Sequence, residues 1–381
     1  MLYHLFVPMI REFTFLNVFT YITFRAAGAA VTAVLLSFIL GPIILRRLKA
    51  MAVHQVVREG TPDTHLSKGT TPTMGGLIFL ISGIISVLLW ARLNSHYTVL
   101  ALIVTSWMGA IGFLDDILKL KQKRAGQKNQ GLVERYKLTG QIIIGVFLGI
   151  WLWKNPLSPS LPGASTTLPF YKYVLVVPIA ASFEWLYVLW TTFILVGVSN
   201  SVNLTDGVDG LAAGLSAIAF ATLAVFAYVM GRVDTSRYLQ VFYLPNAGEL
   251  TIFCAALIGA LIGFLWFNAF PAQVFMGDTG SLALGGGLGA VAILLKSEFL
   301  LVFVGFVFMV EILSVVGQRY IFKYRRRRYG LEYAQKNRLL LRAPLHHHLE
   351  LKGWAEPQVV VRFWIIGILF AVIALSTLKL R

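Results

Sequence analysis

The chain has 381 residues, of which 57% are hydrophobic and only 13% charged, and its mean hydropathy is +0.74. A soluble domain carries about 25% charged residues, so these values exclude a water-soluble fold and point to a multi-spanning membrane protein. The formal net charge of +16 does not imply nucleic-acid binding, because no soluble basic domain is left to carry such a face.

A membrane span needs about 20 apolar residues. Ten stretches approach that scale, at 20–45, 73–92, 97–115, 138–154, 173–200, 210–231, 249–268, 280–296, 299–322 and 359–379. Helices are expected throughout, because lipid offers backbone groups no partners and these stretches are too long for barrel strands. The 173–200 stretch exceeds one crossing, contains Pro178 and Glu184, and reads as a tilted helix preceded by an interfacial segment. The expected fold is a single all-α integral membrane domain, 1–381, of about ten transmembrane helices. The start of the chain, Met1 to Arg11, has neither the basic opening nor the small-residue cleavage site of a signal peptide, so targeting is expected to come from the spans. The single cysteine, Cys254, sits in an apolar stretch and excludes an intrachain disulfide.

Basic residues are clustered. The loops 46–72, 116–137 and 323–352 hold 21 of the 33 lysines and arginines, the mark of the cytoplasmic side of a membrane protein. Alternating the spans then places both termini outside. Five of the seven aspartates fall on the same cytoplasmic side as the basic loops: Asp115, Asp116, Asp206, Asp209 and Asp278. Carboxylates at membrane depth are costly and usually functional, so three acidic motifs at span ends read as one cation-binding cleft on the cytoplasmic face. A cation-coupled transporter would instead hold its acids near the midplane, between broken helices.

In chain order, Lys68 and Thr70-Thr71-Pro72-Thr73-Met74-Gly75-Gly76 open the second span, where a helix N-terminus attracts phosphate. Gly112-Phe113-Leu114-Asp115-Asp116 closes the third, with Lys119 one turn later. Adjacent helical residues point about 100° apart, which lets the aspartate pair serve two roles. The polar run Asn203-Leu204-Thr205-Asp206-Gly207-Val208-Asp209-Gly210 lies between two apolar stretches. Helix capping by Asp209 accounts for one of its acids but not for the whole set. Pro271 ends one span, and Phe275-Met276-Gly277-Asp278 leads into the next, with Asp278 placed as a cap and Phe275 able to stack on a planar base. Separate carboxylates without cysteine suit Mg²⁺, which keeps water and takes substrate phosphate as ligand. His346-His347-His348 cannot all face one ion from a regular helix, and no second His/Cys cluster accompanies them, so they read as hydrogen-bonding groups for an anionic substrate.

Together these motifs, with Ala343-Pro344-Leu345-His346-His347-His348-Leu349-Glu350, resemble those of the polyprenyl-phosphate N-acetylhexosamine-1-phosphate transferase superfamily. The uninterrupted histidine run resembles the branch that transfers phospho-MurNAc-pentapeptide rather than the sister branch that transfers GlcNAc-1-phosphate. The resemblance covers essentially the whole chain. It implies a Mg²⁺-dependent enzyme of the bacterial cytoplasmic (inner) membrane, typically a homodimer, that uses UDP-MurNAc-pentapeptide and undecaprenyl phosphate to make lipid I and UMP. It further implies catalytic positions at Asp115, Asp116, Asp278 and His347, with Asp278 also the metal ligand. Substrate-binding positions follow at Lys68, Thr73, Lys119, Lys137, Asn203, Asp206, Gly207, Asp209, Phe275, His346 and His348. The loop 121–134 is longer than usual for the superfamily.

Overall fold

The computed structural model describes residues 1–51, 71–125, 132–159, 161–171, 175–176 and 183–379. Lys68 lies outside the described residues.

A short helix α1 (Leu2–Phe6) and two 3₁₀ segments lead into α2 (Ile22–Ala50), α3 (Gly76–Trp90), α4 (His96–Arg124) and α5 (Glu134–Lys154). A two-residue antiparallel pair follows, β1 (Thr166–Thr167) with β2 (Leu175–Val176). The rest is helical: α6 (Trp185–Thr205), α7 (Leu211–Met230), α8 (Val233–Leu239), α9 (Glu249–Asn268), α10 (Gly277–Leu294), α11 (Leu301–Val304), α12 (Phe306–Tyr329), α13 (Leu331–Lys336), α14 (Leu345–Leu351) and α15 (Glu356–Ser376).

Eight of these helices are long and apolar enough to cross a membrane. The other two expected spans differ from the sequence reading. The 73–92 stretch yields only the 15-residue α3. The 299–322 stretch is not one helix: it bends by 88° between Glu298–Val304 and Phe306–Tyr329. Gly305 stands at the break, and glycine is among the weakest helix formers. Of the interfacial segment expected before α6, the described residues Leu175–Val176 form β2, and the helix starts at Trp185.

The bundle is built around α10. Every residue from Thr279 to Leu294 is buried, enclosed chiefly by α4 and α6, with α3 and α7 adding contacts. Its glycines allow this proximity: a Cβ on Gly286 would fall 2.6 Å from Met108 Cγ. The Gly259/Gly263 pair of α9 faces α2 of the same chain, where a Cβ on Gly263 would lie 2.5 Å from Ser37 Cβ. The outward faces are apolar, as with Val31, Leu35 and Ile39 on α2 and Ile365, Leu369 and Val372 on α15. Lipid accepts such stripes where water would not.

The loop joining α9 to α10 meets the acidic motifs, and the far ends of both helices carry other buried charges. Arg25 Nη2 and Nη1 donate to Glu249 Oε1 and Oε2 at 2.7 and 2.9 Å, and the Arg92 amide adds a third bond at 2.9 Å. The Arg25 and Arg92 guanidinium groups both lie over the Tyr3 ring, 4.7 and 4.9 Å from its centre. Beyond α10, Lys296 Nζ donates to Gly163 O and Tyr187 Oη at 2.5 and 2.9 Å. Tyr187 and Thr166 in turn donate to Glu298, which ties the β pair to the bundle.

Candidate active site

The last turns of α4 and the first turn of α10 meet where Gly112 permits it, since a Cβ there would collide with the Asp278 carbonyl oxygen. The first amides of a helix lack intrahelical acceptors and carry its positive dipole end. Here carboxylates from other helices serve them. Asp116 accepts from the Thr279 amide at 2.9 Å, its hydroxyl at 2.6 Å and the Asp278 amide at 3.3 Å. Asp206 accepts from the Gly277 amide. The expectation that Asp278 caps α10 is therefore corrected: the residue before the helix is Met276 and gives no side-chain cap, while Asp116 caps from across the bundle. Asp278 lies inside the first turn with its side chain turned to three donors. Lys119 Nζ and Lys137 Nζ reach its Oδ2 at 2.5 and 3.0 Å, and Asn203 Nδ2 reaches Oδ1 at 2.5 Å.

Asp115 completes the group. It accepts from Lys119 Nζ at 2.6 Å and the Leu132 amide at 2.6 Å, with Lys137 Nζ 3.8 Å away. The two lysines thus share Asp115 and Asp278, and each keeps solvent access, at 36% and 17%. Among the described residues, Asp115, Asp116 and Asp278 present carboxylate oxygens within 4.8 Å of one another. Hard oxygen donors in this number fit Mg²⁺ rather than a soft metal.

Two loops frame the group. The Thr71–Gly76 motif runs against the approach to α10: Phe275 N donates to Pro72 O, Gly75 N to Phe275 O and Gly76 N to Met276 O, each at 2.8 Å. Thr73 Oγ1 closes on Gly277, which has φ +76° and where a Cβ would lie 2.9 Å from both Thr73 Oγ1 and Asp116 Oδ2. Glycine is required there on both counts. Asp209 does not cap α7 as expected, since that position belongs to Gly210 at φ +80°. The Asp209 carboxylate instead accepts from Ala272 N at 3.0 Å, and its own amide donates to Glu356 Oε1 at 2.7 Å.

A model of glycosyl transferase family 4 matches residues 98–296, the stretch that carries all five clustered aspartates. Over their full lengths, the chain is 70% identical to the phospho-N-acetylmuramoyl-pentapeptide-transferase of Gemmatimonas aurantiaca. It is 46% identical to those of Syntrophus aciditrophicus and Geobacter sp. strain M21, again across the whole of each chain. The chain belongs to the phospho-N-acetylmuramoyl-pentapeptide-transferase family.

In this family member the three histidines of the short helix α14 have different partners. His346 is fully buried, with its amide and Nδ1 3.2 and 3.1 Å from the Glu311 carboxylate oxygens. His347 Nδ1 lies 2.8 Å from Glu350 Oε2. His348 Nδ1 accepts from the Leu341 amide at 3.1 Å. Burial pushes the His347 imidazole down to about 4, with Glu350 opposing, so it is neutral at neutral pH. Burial pushes the Asp206 carboxyl up to about 8, helped by the charges of Asp278 and Asp116 and opposed by the Gly277 amide.

The structure brings Asp115, Asp116, Lys119, Lys137, Asn203, Asp206 and Asp278 together with Thr73. His346 joins this assembly through the 206–210 loop, because a Cβ on Gly207 would collide with its Nε2. Phe275 is half-buried beside the same turn. Sequence reasoning missed Glu311, Glu356 and Asn268. Asn268 accepts from the Gly210 amide at 3.1 Å and donates to Val274 O at 2.9 Å. A readable signal existed for Glu311, a lone acid within an apolar run.

Proposed function

We propose that the chain transfers phospho-MurNAc-pentapeptide from UDP-MurNAc-pentapeptide to undecaprenyl phosphate, releasing UMP and forming lipid I. The observation that carries this reading is the pair of aspartates, Asp115 and Asp278, sharing two lysines at the polar end of a membrane bundle, in a chain of this family. An acceptor phosphate oxygen attacks the sugar-bound phosphorus of the donor. The new P–O–P bond joins the sugar phosphate to the lipid, the bond to the bridging oxygen breaks, and UMP leaves with the electron pair.

This step brings anions together, and the residues answer that problem. Lys119 and Lys137 lie where they offset charge on the two phosphates. Asp278, flanked by Asp115 and Asp116, would hold Mg²⁺, which supplies charge neutralisation to the pyrophosphate when bound. A phosphate monoester loses its second proton near pH 6, so the acceptor needs little help from a base, and Asp115 takes the last proton where one remains. Asp116 and Asp206 orient the first turn of α10. A covalent step through Asp278 is not needed, because the acceptor phosphate is already largely ionised at neutral pH and can attack directly. The substrate-binding roles of Lys68, Asp209, Phe275 and the histidines, a homodimeric assembly, and residence in the bacterial inner membrane with the cleft toward the cytoplasm belong to the same proposal.

The test is UMP release by purified protein in detergent with undecaprenyl phosphate and Mg²⁺. Release from UDP-MurNAc-pentapeptide but not from UDP-GlcNAc, abolished by EDTA, is expected. Release from UDP-GlcNAc alone would overturn the substrate assignment.

A further inference from the structure

Glu311 is the one acidic residue of α12 and is fully buried. A buried carboxylate has to be paired, and both of its oxygens go to a single residue. Oε1 accepts from the His346 amide at 3.2 Å, and Oε2 lies 3.1 Å from His346 Nδ1. With Glu311 ionised, Nδ1 is the donor of this pair and the ring orientation is fixed, the arrangement by which second partners set histidine tautomers. His346 is itself fully buried, and its Nε2 has no hydrogen-bond partner among the described residues. That atom abuts Gly207, at the centre of the Asp206–Asp209 segment: a side chain on residue 207 would occupy the place of the ring. The neighbouring Asp206 carboxylate receives the first amide of α10. Glu311, His346, Gly207, Asp206 and Gly277 therefore form a continuous line from α12 to the turn that carries Asp278.

From this we infer that Glu311 is a positioning residue for the nucleotide-sugar donor, acting through His346 on the Asp206–Asp209 segment. An apolar residue at 311 would fill the same space, but it would leave the imidazole free to rotate and the segment free to shift. The carboxylate holds the ring edge-on to Gly207 and leaves Nε2 as an acceptor at that edge. The inference rests on the activity proposed above; it takes the Asp206–Asp209 segment as part of the donor site, and the split between the two KM values tests that.

The experiment compares wild type with Glu311→Gln, His346→Asn and the double variant. A glutamine at 311 presents an NH₂ to one of the two His346 N–H groups and breaks one of the paired bonds. The expected result for Glu311→Gln is a rise of about tenfold in the KM for UDP-MurNAc-pentapeptide, the size of one charged hydrogen bond. The KM for undecaprenyl phosphate should not move. In the His346→Asn background the same change should add less than about twofold, since residues acting as one unit are not additive. Glu311→Asp should recover part of the loss. Hydrogen exchange of the 203–210 segment, read without substrate, should quicken in Glu311→Gln. A variant that loses thermal stability while donor KM and segment exchange stay at wild-type values would overturn the inference, as would effects that simply multiply in the double variant. If wild type releases no UMP, the proposed activity fails, and the exchange result still decides whether Glu311 orders the segment.

Discussion

The two ends of α10 both hold buried charges, yet they are built differently. Beyond its C-terminus, Lys296 and Glu298 are each 1% exposed, and every bond they make goes to a fixed neighbour such as Tyr187 or Gly163. The Arg25–Glu249 pair across α2 and α9 is closed in the same way, at 2% and 3% exposure. At the first turn of α10, by contrast, Lys119 and Lys137 divide themselves between Asp115 and Asp278 and remain open to solvent. A closed pair fixes helices. An open set of two cations and two anions can exchange partners when a phosphate or a metal arrives. Burial of charge in a membrane protein is thus no sign of chemistry by itself, and shared partners with solvent access are the better sign.

Substitutions at the two ends would break or sharpen this contrast. The largest effect is expected for Asp278→Asn, a loss of about 10³-fold in turnover, comparable to removing a preorganised electrostatic group, with thermal stability in detergent close to wild type. Arg25→Ala should do the reverse. Leaving Glu249 buried without its counter-charge costs about 3–5 kcal/mol, read as a fall in melting temperature, while the folded fraction keeps its turnover. Asp206→Asn should lose much less activity than Asp278→Asn, because an amide oxygen still accepts from Gly277 and the carboxyl is already held largely protonated, up to about 8. A loss as deep as that of Asp278→Asn would mean that Asp206 works as an anion.

The smallest effect concerns His347. Its imidazole binds a proton near pH 4 in the fold against an ordinary 6.5, so between those values the unfolded chain binds more protons. Stability from this group is therefore intact above about pH 6.5 and declines as pH falls toward 4. His347→Asn should flatten that part of the melting-temperature profile, and an unchanged slope would remove His347 as its source.

The residues that gather at the candidate site were largely legible in the sequence, because its aspartates and histidines sit in short polar motifs that interrupt apolar runs. Hydropathy located the helices for the same reason. What it could not supply was partnership. Asp209 and Asp278 stand where helix caps stand, yet Gly210 and Asp116 occupy those roles, because the acceptors come from helices distant in sequence. Glu249, Glu298, Glu311 and Glu356 pair with equally distant residues and belong to no motif. The bend at Gly305 was hidden because window hydropathy averages over a single glycine.

The burial of α10 has a last consequence, for molecules aimed at this protein. From Thr279 to Leu294 no residue reaches the surface, and a Cβ on Gly285 would collide with the Ser199 backbone while one on Gly286 would meet Met108. Such a helix has almost no position at which sequence can drift. An inhibitor anchored on its first turn would leave the cell few escape mutations, because a change that dislodged the inhibitor would also unseat the helix.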